Sequence, residues 1–286
     1  MRNSLEDTKF ILKKYHITAN KKLGQNFLIN DEVINGIVEA SNIQKEDLVI
    51  EIGPGLGTLT SELLENAGKV IAIELDENML PILNDRFKLY DNFELLNEDV
   101  LKVDLNKLIS ENMGGLSKAK VVANLPYYIT TPIIMKLLEN KLNIESITVM
   151  VQKEVADRIT AKPGDKLSGS ITYSVDYYAE AEKIVFVDKS SFIPAPEVDS
   201  EVIKLQIREE PKVHVENEEL FFKVIKASFM QRRKTLLNGL NNSGIIKDKE
   251  SLKEILQKLG LSVDIRGEKL TIEQFAELSN LIDKTI

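Results

Sequence analysis

Four polar residues, Glu51, Glu74, Asp99 and Asn124, recur 23, 25 and 25 residues apart, each at the end of a short apolar run. The runs are Leu48 to Ile52, Lys69 to Ile73, Asn92 to Leu96 and Lys120 to Ala123. A strand–helix–strand unit takes about 30 residues or slightly fewer, so the interval is the repeat of an α/β fold. Ligands of open parallel sheets bind at the carboxyl ends of the strands. The four side chains are therefore expected to line one crevice.

Their chemistry suggests a ligand. A carboxylate ending the second strand, Glu74, would accept from both hydroxyls of a ribose. Asp99 would accept from an adenine amino group. Gly53-Pro54-Gly55-Leu56-Gly57 follows the first run directly, and Thr58 opens a helical segment with Leu59, Leu63 and Leu64. Such a loop lets backbone approach a ribose and an amino-acid tail. Its spacing is Gly-x-Gly-x-Gly rather than the Gly-x-Gly-x-x-Gly of dinucleotide binders, and it holds no cation for a pyrophosphate. A nucleoside without phosphates fits, and S-adenosylmethionine is the one expected. Helix capping would account for one or two of these acids, not for the set.

The fourth run ends in Asn124-Leu125-Pro126-Tyr127. Pro126 cannot donate a hydrogen bond and forces Leu125 to be extended, so the Leu125 carbonyl is expected to face outward. With the side-chain oxygen of Asn124 it would give two adjacent acceptors beside the flat ring of Tyr127. That set suits adenine, stacked on Tyr127 with its amino group donating to both oxygens. An ordinary turn after a strand is the other reading of the tetrapeptide.

Composition narrows the chemistry. The chain has 286 residues, no cysteine and only two histidines, His16 and His214. A covalent thiolate route is closed, and a metal site is not expected. Neither apolar runs nor the N-terminus suggest a membrane span or signal peptide, so a cytoplasmic location is expected. A formal net charge of −8 is not that of a nucleic-acid binder as a whole. Binding would rest on local clusters: Lys13-Lys14 with Lys21-Lys22, the stretch Lys153, Arg158, Lys162 and Lys166, and Gln231-Arg232-Arg233-Lys234. The last is read as the later turns of a helix whose apolar face is Phe221, Val224, Ile225, Ser228 and Phe229.

These residues need a scaffold. A helix is expected from about Asp31 to Ala40, with Val33, Ile34, Ile37 and Val38 inward. Further strands are expected at Glu145 to Val151, Ala181 to Val187 and Val202 to Ile207, giving seven in a mostly parallel sheet. A proline-stiffened loop, Phe192 to Ser200, separates the last two. Beyond about Pro211 the pattern is helical and charged. The expected division is an α/β domain over 1–210, with an extension at 1–30, and a small all-α domain over 211–286.

Seven motifs occur in order: Gly24-Gln25-Asn26-Phe27-Leu28, Glu51 to Gly57, Glu74-Leu75-Asp76, Asn97 to Val100, Asn124 to Tyr128, Phe192-Ile193-Pro194 with Val198-Asp199-Ser200, and Gln231 to Thr235. From about residue 20 to 240 the chain resembles the rRNA adenine N6,N6-dimethyltransferases, most of all their bacterial small-subunit branch. The resemblance implies a Rossmann-like class I methyltransferase domain with a helical C-terminal domain. It implies S-adenosylmethionine held at Asn26, Leu28, Gly53, Gly55, Glu74, Asp99 and Asn124. It implies catalysis around Asn124, Leu125, Pro126 and Tyr127, with Phe192 on the second face of the base. RNA would be met by Arg158, Arg232, Arg233 and Lys234. The implied substrate is a pair of adjacent adenosines in the 3′-terminal hairpin of 16S rRNA, within the 30S subunit or its assembly intermediate, acted on by a monomer. Where relatives often carry a basic residue, Glu197 stands here.

Two other functions are consistent with the same motifs: a large-subunit rRNA adenine methyltransferase of the macrolide-resistance type, and a non-catalytic ribosome-assembly factor. A nicotinamide-dependent dehydrogenase is disfavoured by the glycine spacing.

Overall fold

In the computed structural model, which describes residues 3–231, 234–246 and 248–285, the apolar runs become strands. They are β1 (Phe27–Leu28), β2 (Asp47–Ile52), β3 (Lys69–Glu74), β4 (Phe93–Asn97), β5 (Lys118–Asn124), β6 (Ser146–Gln152), β7 (Ala179–Val187), β8 (Phe192–Ile193) and β9 (Ser200–Ile207). Seven form one sheet in the order β4-β3-β2-β5-β6-β9-β7. β4, β3, β2, β5 and β6 run parallel, and β9 lies antiparallel to β6. Every residue of β2 is buried, as expected of a central parallel strand covered on both faces.

Register carries the strand-end residues to one level. Ile52 pairs with Ile73 on one side and Ala123 on the other. One residue further on, Gly53, Glu74 and Asn124 therefore stand in a row. The chain leaves β2 for β3 on one side, while β5 joins on the other, so the row sits where the strand order reverses. That is where a crevice opens in doubly wound folds.

The opposite end of the sheet is held by charge. Lys120 is buried, with its ammonium 2.8 Å from Asp47 and 3.3 Å from Glu145, and it donates to the Asn42 carbonyl at 2.6 Å. The helix Asp31–Ser41 starts at Asn30, whose side chain accepts from the amides of Glu32 and Val33. It buries Val33, Ile34 and Ile37, while Val38 is half-buried.

Three features differ from the sequence reading. The extension before residue 30 contains a helix, Ser4–Lys14, fastened by an ion pair between Asp7 and Arg86 at 2.9 Å. β1 and β8 pair antiparallel, Phe27 with Ile193 and Leu28 with Phe192. Two-residue strands carry no alternation by which a sequence could announce them.

The third difference is the division of the chain. One unit comprises Met1–Ala156 and Ala181–Ile207, the other Asp157–Glu180 and Arg208–Ile286. The segment 157–180 groups with the C-terminal helices because its aromatic residues fill their core. Tyr173 packs against Phe229 and Phe275, and Tyr177 against Phe221 and Phe222, with ring centroids 5.0 to 5.4 Å apart. Among the described residues, no helix is long and apolar enough to cross a membrane.

Candidate active site

The loop after β2 is shaped by glycines in the left-handed region that other side chains rarely adopt. Gly55 has φ +56°, and its N–H donates to a carboxylate oxygen of Glu74 at 3.1 Å. Gly57, with φ +80°, is the cap of the helix Thr58–Asn66, and a Cβ there would lie 2.6 Å from the Phe87 ring. The Gly53 and Gly55 amides thus donate toward the end of β3, Gly53 to the Ile73 carbonyl at 2.9 Å, while the Gly57 amide closes the turn on Pro54.

Glu74 closes β3. Its second oxygen accepts from the Asp76 N–H at 2.8 Å, and burial, opposed by these amides, raises its pKa. Each carboxylate oxygen can accept more than one hydrogen bond. Asp76 is otherwise engaged: it caps the turn at Asn78 and accepts from Gln25 at 2.7 Å. On the neighbouring strand Glu51 is almost fully buried, which pushes its pKa up to about 8, with the Glu74 charge adding. One of its oxygens has no hydrogen-bond partner among the described residues.

Asn124 closes β5, and its side-chain amide donates to the Asn26 carbonyl at 3.2 Å. Because a carbonyl only accepts, the NH2 must face Asn26, and Oδ1 is left as an acceptor. The Leu125 N–H bonds to Met150, yet among the described residues its carbonyl receives no hydrogen bond. Pro126 then leads to Tyr127, half-buried, with its hydroxyl 2.5 Å from Ser200 Oγ. Asp99 lies two residues past β4 and accepts from the Leu101 N–H at 3.0 Å.

Glu51, Gly55, Glu74, Asp99, Asn124 and Tyr127 border one cavity, which encloses about 1080 Å³ including its open mouth. Its wall includes Asn26, Leu28, Gly53, Gly55, Glu74, Asp99, Asn124, Leu125, Pro126 and Tyr127. Thus the structure brings together every cofactor-binding position expected from sequence. The described wall contains Glu51, Glu74, Glu98 and Asp99 but neither Lys nor Arg. Such a surface repels phosphates and favours a ligand carrying positive charge. A sulfonium nucleoside with an ammonium group fits such a wall. Among the described residues, no group of His, Cys, Asp or Glu could hold a metal.

Not every expected position lies there. Phe192 is 3% exposed, packs in the core with Phe27 and Leu28, and is absent from the cavity wall. For its ring to cover a base it must first rotate out of that packing. Arg158 lies in the last turn of the helix Lys153–Ile159 and is exposed. The helix Glu218–Met230 stops before the basic cluster, so Lys234 follows it rather than riding on its last turns. Thr235 caps the next helix in an extended conformation, which a continuous helix would forbid. Arg232 and Arg233 lie outside the described residues.

The wall also includes residues to which the sequence assigns no role in the site, among them Leu75, Val100 and Tyr128. Leu75 and Tyr128 are large, apolar and exposed, each next to a strand-end motif. That adjacency was the available signal.

Residues 16–284 match the family model described as ribosomal RNA adenine dimethylase. The chain belongs to that family.

The dimethylase membership makes it a methyltransferase dependent on S-adenosylmethionine. It is 51% identical over 276 residues to the ribosomal RNA small subunit methyltransferase A of Lachnoclostridium phytofermentans, covering 96% of this chain and 95% of that one. Among solved structures it resembles a dimethyladenosine transferase from Plasmodium falciparum, with TM-score 0.73, 28% identity, 88% of this chain and 95% of that chain. It also resembles the 23S rRNA methyltransferase ErmE, with TM-score 0.67, 26% identity, 90% of this chain and 100% of that chain. The dimethylase fold therefore spans nearly the whole chain, including the C-terminal helices.

Proposed function

We propose that this dimethylase acts on the small ribosomal subunit, placing two methyl groups on N6 of each of two adjacent adenosines in the 3′-terminal hairpin of 16S rRNA. The substrate is the 30S subunit or its assembly intermediate, met by a monomer in the cytoplasm. One observation carries the chemistry: two acceptors, Asn124 Oδ1 and the Leu125 carbonyl, receive no hydrogen bond among the described residues and stand beside Tyr127 on a wall whose described residues include acids but no Lys or Arg. The small-subunit choice is supported by the 51% identity to a small-subunit enzyme, against 26% to ErmE.

Glu74 would hold the ribose, Asp99 the adenine amino group, and the Gly53–Gly57 backbone the amino-acid tail of S-adenosylmethionine. When bound, the cofactor supplies an electrophilic methyl group on a positively charged sulfur. The protein's part is to prepare the nucleophile. The N6 lone pair of adenine is delocalised into the ring, which makes it a poor nucleophile. Asn124 and the Leu125 carbonyl draw the two N–H hydrogens out of the ring plane and localise that lone pair. Tyr127 holds the base, extruded from its helix, by stacking. No strong base is required, because the proton lost from the methylated nitrogen is acidic enough to leave to water. Positioning of this kind supplies about 7–11 kcal/mol in favourable cases. After the first methyl, one N–H remains to donate to one of the two acceptors.

The test is to offer labelled S-adenosylmethionine with purified undermethylated small subunits and, separately, large subunits. Label in the small-subunit rRNA is the expected result. Label confined to the large subunit would establish the macrolide-resistance type of activity instead, and no label in either would leave an assembly factor.

A further inference from the structure

We infer that Ser200 is a positioning residue that sets the tilt of the Tyr127 ring and thereby governs how completely the second methyl is added. This rests on the reading of the cavity as an adenine site. Tyr127 lies in a turn after β5, outside the sheet ladder, so its backbone does not by itself hold the ring in place. The ring is fixed at its far end instead, by the 2.5 Å hydrogen bond between its hydroxyl and Ser200 Oγ.

Ser200 is a firm anchor. It is fully buried at the first position of β9 and is paired in register with Gln152 of β6. The preceding Asp199 is held twice: its carbonyl accepts from the Lys153 N–H at 3.0 Å, and its carboxylate from the Lys189 N–H at 3.1 Å. Cβ and the hydroxyl oxygen lie at the two ends of the ring's long axis, so the tether fixes where that axis stands. Released at the hydroxyl, the axis can swing, and a base stacked on the ring shifts with it. Misplacement of about 1 Å costs roughly 10²-fold in a reaction that depends on positioning.

The two transfers do not tolerate this equally. The unmodified amino group has two N–H donors for the two acceptors, so a base on a loose ring is still aligned by both. The monomethylated base keeps only one N–H and carries extra bulk. Its alignment depends more on where the Tyr127 ring stands. Loss of the tether therefore slows the second transfer more than the first, and monomethyladenosine accumulates.

The bond can be removed from either side. Ser200→Ala and Tyr127→Phe are each expected to lower turnover about tenfold, the worth of one ordinary hydrogen bond. Each should raise the ratio of monomethyl- to dimethyladenosine while leaving the cofactor KM unchanged. The double variant should be no worse than either single one, because both remove the same interaction. Additive losses, or an unchanged product ratio in Tyr127→Phe, would overturn the inference. Tyr127→Phe leaves the buried serine intact, so it decides the matter even if Ser200→Ala fails to fold. Wild-type enzyme is the separate control on the underlying reading: if it makes no dimethyladenosine, that reading fails first.

Discussion

The side chain of Asn124 donates to the backbone carbonyl of Asn26 at 3.2 Å, joining residues 98 apart in sequence. This contact orients the amide, and so the oxygen that remains is presented as an acceptor. It also ties the end of β5 to the segment that leads into β1.

Asn124→Ala is expected to lower methyl transfer by about 10²–10³, the usual consequence of removing one preorganised polar group. Folding and RNA binding should persist, since Asn124 is only half-buried at a strand end. Single-turnover kinetics on undermethylated subunits measures this. Near wild-type rates would remove the amide from the chemistry.

Glu74→Ala should weaken S-adenosylmethionine binding by about 1.5–3 kcal/mol, the range for hydrogen bonds to a charged group. The neighbouring Asp76 cannot take over, being committed to Gln25 and Asn78. Calorimetric titration checks this, and unchanged affinity would take Glu74 out of the ribose site.

Glu51 makes stability depend on pH. Its folded pKa is raised to about 8 by burial, above the ordinary carboxylate value of 4.5. Between those values the folded protein holds a proton that the unfolded chain has released. Stability of the ligand-free protein therefore falls as pH rises from about 5 to about 8. Glu74, also raised, adds in the same direction. Glu51→Gln should flatten the dependence of melting temperature on pH over that window. An equally steep dependence in the variant would assign it elsewhere.

Lys120→Met leaves Asp47 buried without its cation and should destabilise by about 3–5 kcal/mol, as breaking one side of a buried ion pair does. Adding Asp47→Asn should recover part of that loss in denaturant titrations. No recovery would mean that the pair does not act as a unit.

Much of this was legible in the sequence because it is periodic. A 23- to 25-residue spacing brings Glu74 and Asn124 to the ends of their strands, and Pro126 marks the freed Leu125 carbonyl. Other features leave no periodic trace. The pairing of β1 with β8 spans two residues, too short to alternate. The Tyr127–Ser200 bond joins residues 73 apart through a hydroxyl that could have faced solvent. The segment 157–180 joins the C-terminal unit through Tyr173 and Tyr177, and chain order conceals this. Phe192 carries a motif position, but only packing shows that its ring begins in the core.

Arg232→Ala with Arg233→Ala should weaken RNA binding and flatten its salt dependence without changing cofactor affinity. Each phosphate contact contributes a share of the log–log salt slope, and the net charge of −8 leaves binding to local clusters. A slope equal to wild type would free these arginines from any phosphate contact.

The most direct test of the account is nucleoside analysis of 16S rRNA after reaction of undermethylated 30S subunits with the wild-type protein and S-adenosylmethionine. The account predicts N6,N6-dimethyladenosine at two adjacent positions of the 3′-terminal hairpin. Methylation at a ring carbon, at a ribose, or only at sites outside that hairpin would contradict it.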